Sequence, residues 1–478
     1  MKILHLFALG FLSTTMSLSA QSNQDILAKI SKEVSSNSEA YQLLEKATTT
    51  IGHRATGTEN GKKAEDFAAA ILQSYGYEVI FQPFNFKGWE RKSLKLIING
   101  QAVSAVALAY TPGIANVEAE MIDLGNGLEA DYEKLRDQVS GKFVIASIGL
   151  IEGTSKDVKN LHRSEKTALA HRYGAKGIIL FNQNKGEILL TGTASVDETI
   201  TKIPAMNVSY ESGNRIKQQI KSGKTMAYTM MLNDVYPAEG RNVIARKIGS
   251  SLPNEKIVLG GHLDSWDLAT GAIDNGVGSF SVIDVARTYS KLNLENKRTI
   301  EFVLFMGEEV GLVGSTHYVK EALKDGSIDK IKAMSNMDMT INPKVYSTTN
   351  ATNLKFLDEV ANDVQQYIPN FNVKSDSWVG LHSDHQPFML QGIPIVGLSQ
   401  SQFKEGVLKC YHANCDTFDL VEEQGLKNNV LLETYLMYKL SNSEDFPFKR
   451  WTDEETKEQM IKGNLETPLR ISGDWRWE

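Results

Sequence analysis

From Arg241 to about Ser399 the chain alternates continuous apolar runs with segments of helical period. "NVIARKIG", "EKIVLGG", "TIEFVLFMG", "IKAMSNMDM" and "IPIVGLS" read as strands. "GVGSFSVIDVARTYSKL" places Val282, Val285, Tyr289 and Leu292 on one helical face, and "GLVGSTHYVKEAL" reads as a further helix. Continuous apolar strands need cover on both sides. The expected fold is therefore α/β, a mixed and mostly parallel sheet with helices on both faces.

Open α/β sheets bind ligands beyond the carboxyl ends of their strands. Here those ends carry ionisable residues. His262 and Asp264 follow the strand "EKIVLGG", with Asp267 close behind. Glu308 and Glu309 follow "TIEFVLFMG", and Asp338 ends "IKAMSNMDM". Asp274 opens the helix after the first of these strands. His412 lies in "CYHANCDTFD", a loop that can fold over the same edge. An aspartate at a helix start is usually a cap, and a glutamate pair is usually solvated. In "FVLFMGEEVG", however, the acids abut a buried strand and have glycines beside them, which is not an ordinary solvent face. Two histidines with several carboxylates suit zinc, which cobalt or manganese can replace in vitro. The number of acids allows one carboxylate to bridge two ions.

The rest of the chain divides by texture. Residues 1–20 read as a signal peptide: Lys2, an apolar run from Ile3 to Leu12 too short to span a bilayer, then small residues ending at Ala20. Residues 21–116 and 237–443 form the two parts of the expected catalytic domain. In the first part, "AEDFAAAILQSYGYEV" puts Phe67, Ala70, Ile71 and Tyr75 at helical spacing. Residues 117–236 contain mostly short strands and helices without a cluster of ligand-type residues, and read as an inserted β-rich domain. The alternative is one continuous domain. Residues 444–478 form a polar tail, expected to be irregular and to wrap the surface. Cys410 and Cys415 are the two cysteines of the chain. An exported protein allows them to pair, and two buried thiols fit the sequence equally well. The net charge of −7 argues against a nucleic-acid partner or an anionic membrane surface.

"GGHLDSWD", "GAIDNGVG", "FMGEEVGLVGS", "NMDM", "SDHQPF" and "YHANCDT" occur in the order seen in co-catalytic zinc exopeptidases. The chain resembles the carboxypeptidase Q type, with its inserted protease-associated domain, from "HRATGTENG" to about Leu440. The resemblance implies two zinc ions per chain. His262 and Asp338 would hold one, Glu309 and His412 the other, and Asp274 would bridge them. Glu308 matches the general base, and Asp264 matches the acid that fixes the imidazole of His262. His382 and His385 fall in a segment beside the substrate. Asp416 is expected to hold the loop of His412. In this family the peptide after the bridging aspartate is often cis, which implies a cis bond between Asp274 and Asn275.

The function expected from these residues is an exported exopeptidase acting on small peptides, with dipeptides favoured. A homodimer is allowed, and no membrane partner is expected after signal cleavage. An aminopeptidase of the same family is the alternative. A glutaminyl cyclase-like acyltransferase and a non-catalytic binding protein on this fold are weaker readings, because the first resembles a one-metal site and does not need the full ligand set, and the second has no need of a base at Glu308.

Overall fold

A computed structural model describes residues 22–197 and 199–478 of the protein. The signal-peptide reading of residues 1–20 lies outside the described residues. The catalytic part is built on strands Ile331–Asn336, Leu252–His262 and Arg298–Phe305, which are mutually parallel. Two long antiparallel strands complete it: Met226–Lys247 pairs with Arg298–Phe305, and Val79–Ile98 pairs with Met226–Lys247. Register places Phe305 opposite His262 and Asn336 opposite Gly260. The three parallel strands therefore end together.

Side chains alternate across each strand and feed two cores. Ile257, Leu259, Phe302 and Leu304 face one side, against helices Val277–Lys291 and Glu423–Asn442 and the three N-terminal helices Asn23–Asn37, Ala40–Thr50 and Glu59–Ser74. Val258, Val303 and Phe305 face the other side, against Val313–Lys324 and His385–Leu390. Helix Val277–Lys291 is buried on every side from Val277 to Tyr289, so the single apolar face read from its sequence is only part of its contact surface. In helix Glu59–Ser74 the buried face is Ala64, Ala68, Ala69 and Leu72, about one residue round from the expected stripe. Phe67, Ile71 and Tyr75 pack at its margin, and Ala70 is exposed. Small alanines sit closest to the sheet because they let the helix approach.

The two long strands continue beyond the catalytic part, and the sheet of the insert grows on their far ends. Ile114–Asp123 pairs with Met226–Lys247, followed by the parallel strands Phe143–Ser147, Gly177–Phe181 and Ala205–Val208, with Ala105–Ala107 at the edge. Met226–Lys247 runs through residue 236 without a break. Among the described residues no helix is long and apolar enough to cross a membrane.

The tail corrects its expectation. It contains helices Asp453–Lys462 and Glu466–Ser472, the first closed by a capping box between Thr452 and Glu455. Met460, Leu465, Leu469 and Trp477 are buried in the second core. Four apolar residues spread through a charged segment look solvated in sequence, yet they suffice for one narrow stripe. Leu469 is fully buried, so Leu469→Ala should cost about 2–5 kcal/mol, the usual range for a core leucine. Chemical denaturation measures this; a cost well below 1 kcal/mol would mean that the tail only drapes the surface.

Candidate metal centre and active site

The parallel strands deliver the expected residues to one edge. His262 is the last residue of Leu252–His262. Glu308 and Glu309 follow Arg298–Phe305 after Gly307, whose φ of 81° turns the chain out of the sheet. Asp338 lies two residues beyond Ile331–Asn336. Asp274 sits in the irregular turn Ala272–Gly276 that leads into helix Val277–Lys291, and the Asp274–Asn275 peptide is cis. Cys410 and Cys415 form a disulfide that closes the loop around His412. Thr191 of the insert donates its N–H to the carbonyl of His412 at 2.9 Å.

These side chains converge. His262 Nε2 lies 3.3 Å from Asp274 Oδ1 and 3.4 Å from Asp338 Oδ1. His412 Nε2 lies 2.9 Å from Asp274 Oδ2 and 3.1 Å from Glu309 Oε2. Asp274 thus presents one oxygen to each imidazole. Ligand atoms of His262, Asp274 and Glu309 all lie within 4.8 Å of one another. Glu309 Oε1 is buried with no hydrogen-bond partner among the described residues. A buried carboxylate oxygen left without a donor fits a metal ligand, and the mixed imidazole–carboxylate set is the chemistry of zinc.

Charge is concentrated here. Burial pushes the carboxyl of Glu308 well above the usual range and that of Glu309 up to about 7, against the opposing attraction of the histidines. Burial alone would also raise Asp274, but hydrogen bonds from His262 and His412 hold it well below the ordinary value. Burial would lower His262; Asp338, Glu308, Asp264 and Asp274 outweigh it and hold the imidazole well above its ordinary value. Carboxylates and imidazoles share protons because the site has more negative charge than its protein cations balance.

Supporting residues surround this cluster. His262 Nδ1–H donates to the backbone carbonyl of Asp264 at 3.1 Å, while the carboxylate of Asp264 is 3.6 Å away. That carboxylate instead accepts the N–H groups of Glu308 and Glu309, at 3.3 and 3.4 Å. Asp264 therefore ties the strand end of His262 to the glutamate turn. Asp416 accepts the N–H groups of Ile273 and Asp274 at 2.7 and 3.0 Å, so it holds the turn of Asp274. His385 is buried with Nε2 bonded to the carbonyl of Gly380, whereas His382 is half-exposed and stacks on His162 of the insert at 4.6 Å.

Two arginines escaped the sequence reading. Arg54, from "HRATG", is fully buried behind the site, and its guanidinium donates to the carbonyls of Leu263, Thr270 and Gly271 at 2.6–2.8 Å. Arg163, from the insert, reaches across to the loop of His412, with Nη2 2.7 Å from His412 Nδ1. Neither belongs to a ligand motif. The only sequence signal was an arginine in the glycine-containing loop "HRATG" and a lone arginine at a helix start. A cavity of about 860 Å³ opens over the centre, and its wall includes Asp274, Glu308, Glu309, Asp338 and His412 together with residues of the insert and the tail.

Residues 242–437 match the model of peptidase family M28, and residues 107–216 match the PA domain. Among curated proteins, Probable leucine aminopeptidase 2 of Aspergillus fumigatus is 25% identical over 84% of this chain and 82% of its own length. Carboxypeptidase Q of Xenopus laevis is 23% identical over 85% of this chain and 86% of its own. The solved structure of a peptidase M28 precursor from Shewanella amazonensis superposes with a TM-score of 0.75 at 24% identity, covering 90% of this chain and 99% of that one, a likeness of fold. With the M28 match lying over the strand ends that carry the site, the chain is a zinc metallo-exopeptidase whose catalytic part is similar to peptidase family M28 and whose insert is similar to the PA domain, as in carboxypeptidase Q.

Proposed function

We propose that the protein is an exported dipeptidase that works with two zinc ions and uses Glu308 as general base. His262 and Asp338 would hold one ion and Glu309 and His412 the other, with Asp274, which presents one oxygen to each imidazole, shared between them. The observation that carries the reading is the divergence of two adjacent glutamates. Glu309 turns toward His412 at 3.1 Å. Glu308 lines the cavity. A base must be free of a tight partner to take a proton, and a ligand must not be.

Bound zinc lowers the pKa of water from about 15.7 to about 7 and polarises a carbonyl. Glu308 accepts the proton of the attacking water and passes it to the leaving amine. Asp264 keeps Glu308 and Glu309 at a fixed distance from His262 through their backbone N–H groups. The insert and the tail wall the cavity, which favours short substrates over long chains. Export is supported by the Cys410–Cys415 bridge, a chemistry of oxidising compartments. The aminopeptidase reading is favoured by the likeness to Probable leucine aminopeptidase 2.

A panel of free, N-acetylated and C-amidated dipeptides separates the two. A dipeptidase should lose activity on both blocked forms, whereas an aminopeptidase should accept the amides. Glu308→Gln should keep two metals per chain and lose about 10²–10⁴-fold in turnover. Glu309→Gln should lose a metal together with activity, because a neutral amide is a poorer ligand. Elemental analysis paired with dipeptide turnover reads both, and an active Glu308→Gln enzyme with two metals sinks the mechanism. Asp264→Ala should weaken metal retention about 10–100-fold against a chelator, the usual cost of losing a group that orients ligands. Unchanged retention would show that the glutamate turn holds itself.

A further inference from the structure

We propose that Asp267, the last acid of "HLDSWD", is a positioning residue for His412: it ties the insert to the catalytic part through Arg91 and Thr191. Where it concerns metal retention, this rests on the two-zinc reading. Asp267 stands among the acids that follow the first of the parallel strands, yet it lines neither the cavity nor the ligand cluster. Its Oδ1 lies 2.9 Å from Nη2 of Arg91. Arg91 belongs to Val79–Ile98, at the point between Arg91 and Ser93 where the register of the ribbon shifts. The same Nη2 donates to Oγ1 of Thr191 in the insert at 2.8 Å. Thr191 in turn donates its N–H to the carbonyl of His412 at 2.9 Å. Beside that bond, Leu190 and Ala413 form an antiparallel bridge. The links run from the catalytic part to the ribbon, from the ribbon to the insert, and from the insert back to the loop of a metal ligand.

His412 needs a hold of this kind. Its φ of 53° lies in the left-handed region, which a non-glycine residue keeps only where its surroundings enforce it. The catalytic part holds the loop further along, where Thr270 donates to the carbonyl of Asp416. At His412 itself the carbonyl is taken by the insert. Arg91 needs Asp267 in the same way. Its Nε and Nη1 are buried without an acceptor, and Asp267 is its one carboxylate partner among the described residues. A desolvated cation stays where its counter-charge is. Oδ1 of Asp267 has no aligned hydrogen-bond donor, so the contact is a pairing of charges, which a neutral asparagine of the same shape does not reproduce. The neighbouring residue works at the same joint. Trp266 packs with Trp89 of the ribbon, Ile200 of the insert and Val310, next to Glu309, and stands edge-on to the ring of His412 at 6.0 Å. In "HLDSWD" the first half serves the centre and the second half the joint that encloses it.

The test uses the full chain as wild type, Asp267→Asn, Arg91→Met, the double variant of these two, Thr191→Val and Thr191→Ser. Amide exchange is followed by mass spectrometry in metal-free protein, and release of zinc to a chelator is followed in zinc-loaded protein. Asp267→Asn and Arg91→Met should each speed exchange in residues 410–416 and release one zinc about tenfold faster, the lower end of the usual 10–100-fold effect of residues behind a ligand. Exchange in the parallel strands should stay at the wild-type rate. The double variant should be no worse than the poorer single, because both changes cut one link. Thr191→Val should repeat the effect, and Thr191→Ser, which keeps the hydroxyl, should match wild type. Loop exchange at the wild-type rate in Asp267→Asn and Arg91→Met overturns the proposal, and so does faster exchange spread evenly over the catalytic sheet, which would make the pair a general support. Losses that add in the double variant overturn it as well. If Asp267→Asn does not fold, the two Thr191 variants decide: faster loop exchange in valine than in serine upholds the tether, and equal exchange ends it. If wild type holds only one zinc, the two-zinc reading fails, and loop exchange in the metal-free protein decides the tether alone.

Discussion

Mutual repulsion among buried carboxylates is the constraint around which this molecule is organised. Asp264, Asp274, Glu309, Asp384 and Asp416 are all at least nine-tenths buried at one sheet edge. Unpaired, such a cluster would expel its charge by taking up protons. Several devices oppose that. Backbone N–H groups point at Asp264 and Asp416. Two imidazoles share the oxygens of Asp274. Arg54 places a buried positive charge behind the loop that carries Leu263 to Gly271. Its field reaches Asp416, Asp264, Asp274 and Glu309, and burial lowers its own proton affinity in return. What these devices leave uncompensated is a demand for cations in front of the cluster, on the side where the cavity opens.

The same economy explains how the two parts of the chain are joined. Strands Val79–Ile98 and Met226–Lys247 pair along almost their whole length, from Val79 opposite Ala245 to Ile98 opposite Ala227, with one irregularity at Arg91–Ser93. The ribbon is anchored at both ends, where Met226–Lys247 also pairs with Arg298–Phe305 and with Ile114–Asp123, and so joins the two sheets. It holds the start of helix Arg163–Arg172 against the loop of His412, where Thr191 and Arg163 both touch that residue. His162 and His382 stack across the same junction. The centre is therefore built by the catalytic sheet but walled by the insert, and neither part encloses it alone.

How much of this could be read in the sequence depended on the range of the interaction. Strand ends were legible because period and continuity are local signals: "EKIVLGG" and "TIEFVLFMG" announce buried strands, and the next charged residue is then at the carboxyl edge. The ordered motifs added the pairing of His262 with Asp338 and of Glu309 with His412. Arg54 and Arg163 were illegible because their partners lie 209–249 residues away. The tail was misread for the opposite reason. Its apolar residues are local but sparse, and only their common burial, of Met460, Leu465 and Leu469 in the second core, reveals them. The helix Glu59–Ser74 shows that bulk misleads too. Its large residues Phe67 and Ile71 mark the edge of the contact, while alanines make its centre.

The adjacent glutamates show why a turn, and not a helix or strand, must carry this chemistry. Two neighbours in a strand point to opposite faces of the sheet, and two in a helix diverge by about 100° around its axis. Here both residues line one cavity, and Glu309 turns to His412. Gly307 breaks the strand with a left-handed φ, and the two following N–H groups converge on the single carboxylate of Asp264. Those donors are the ones a continuing strand would have spent on a ladder. Spent on Asp264, they fix the turn to the residue that also bonds the ring of His262 through its carbonyl. One aspartate thereby sets the spacing between the imidazole, the metal-directed Glu309 and the cavity-facing Glu308. That linkage explains why an acid stands two residues after the histidine in "HLD": it is placed to serve the glutamates as much as the histidine.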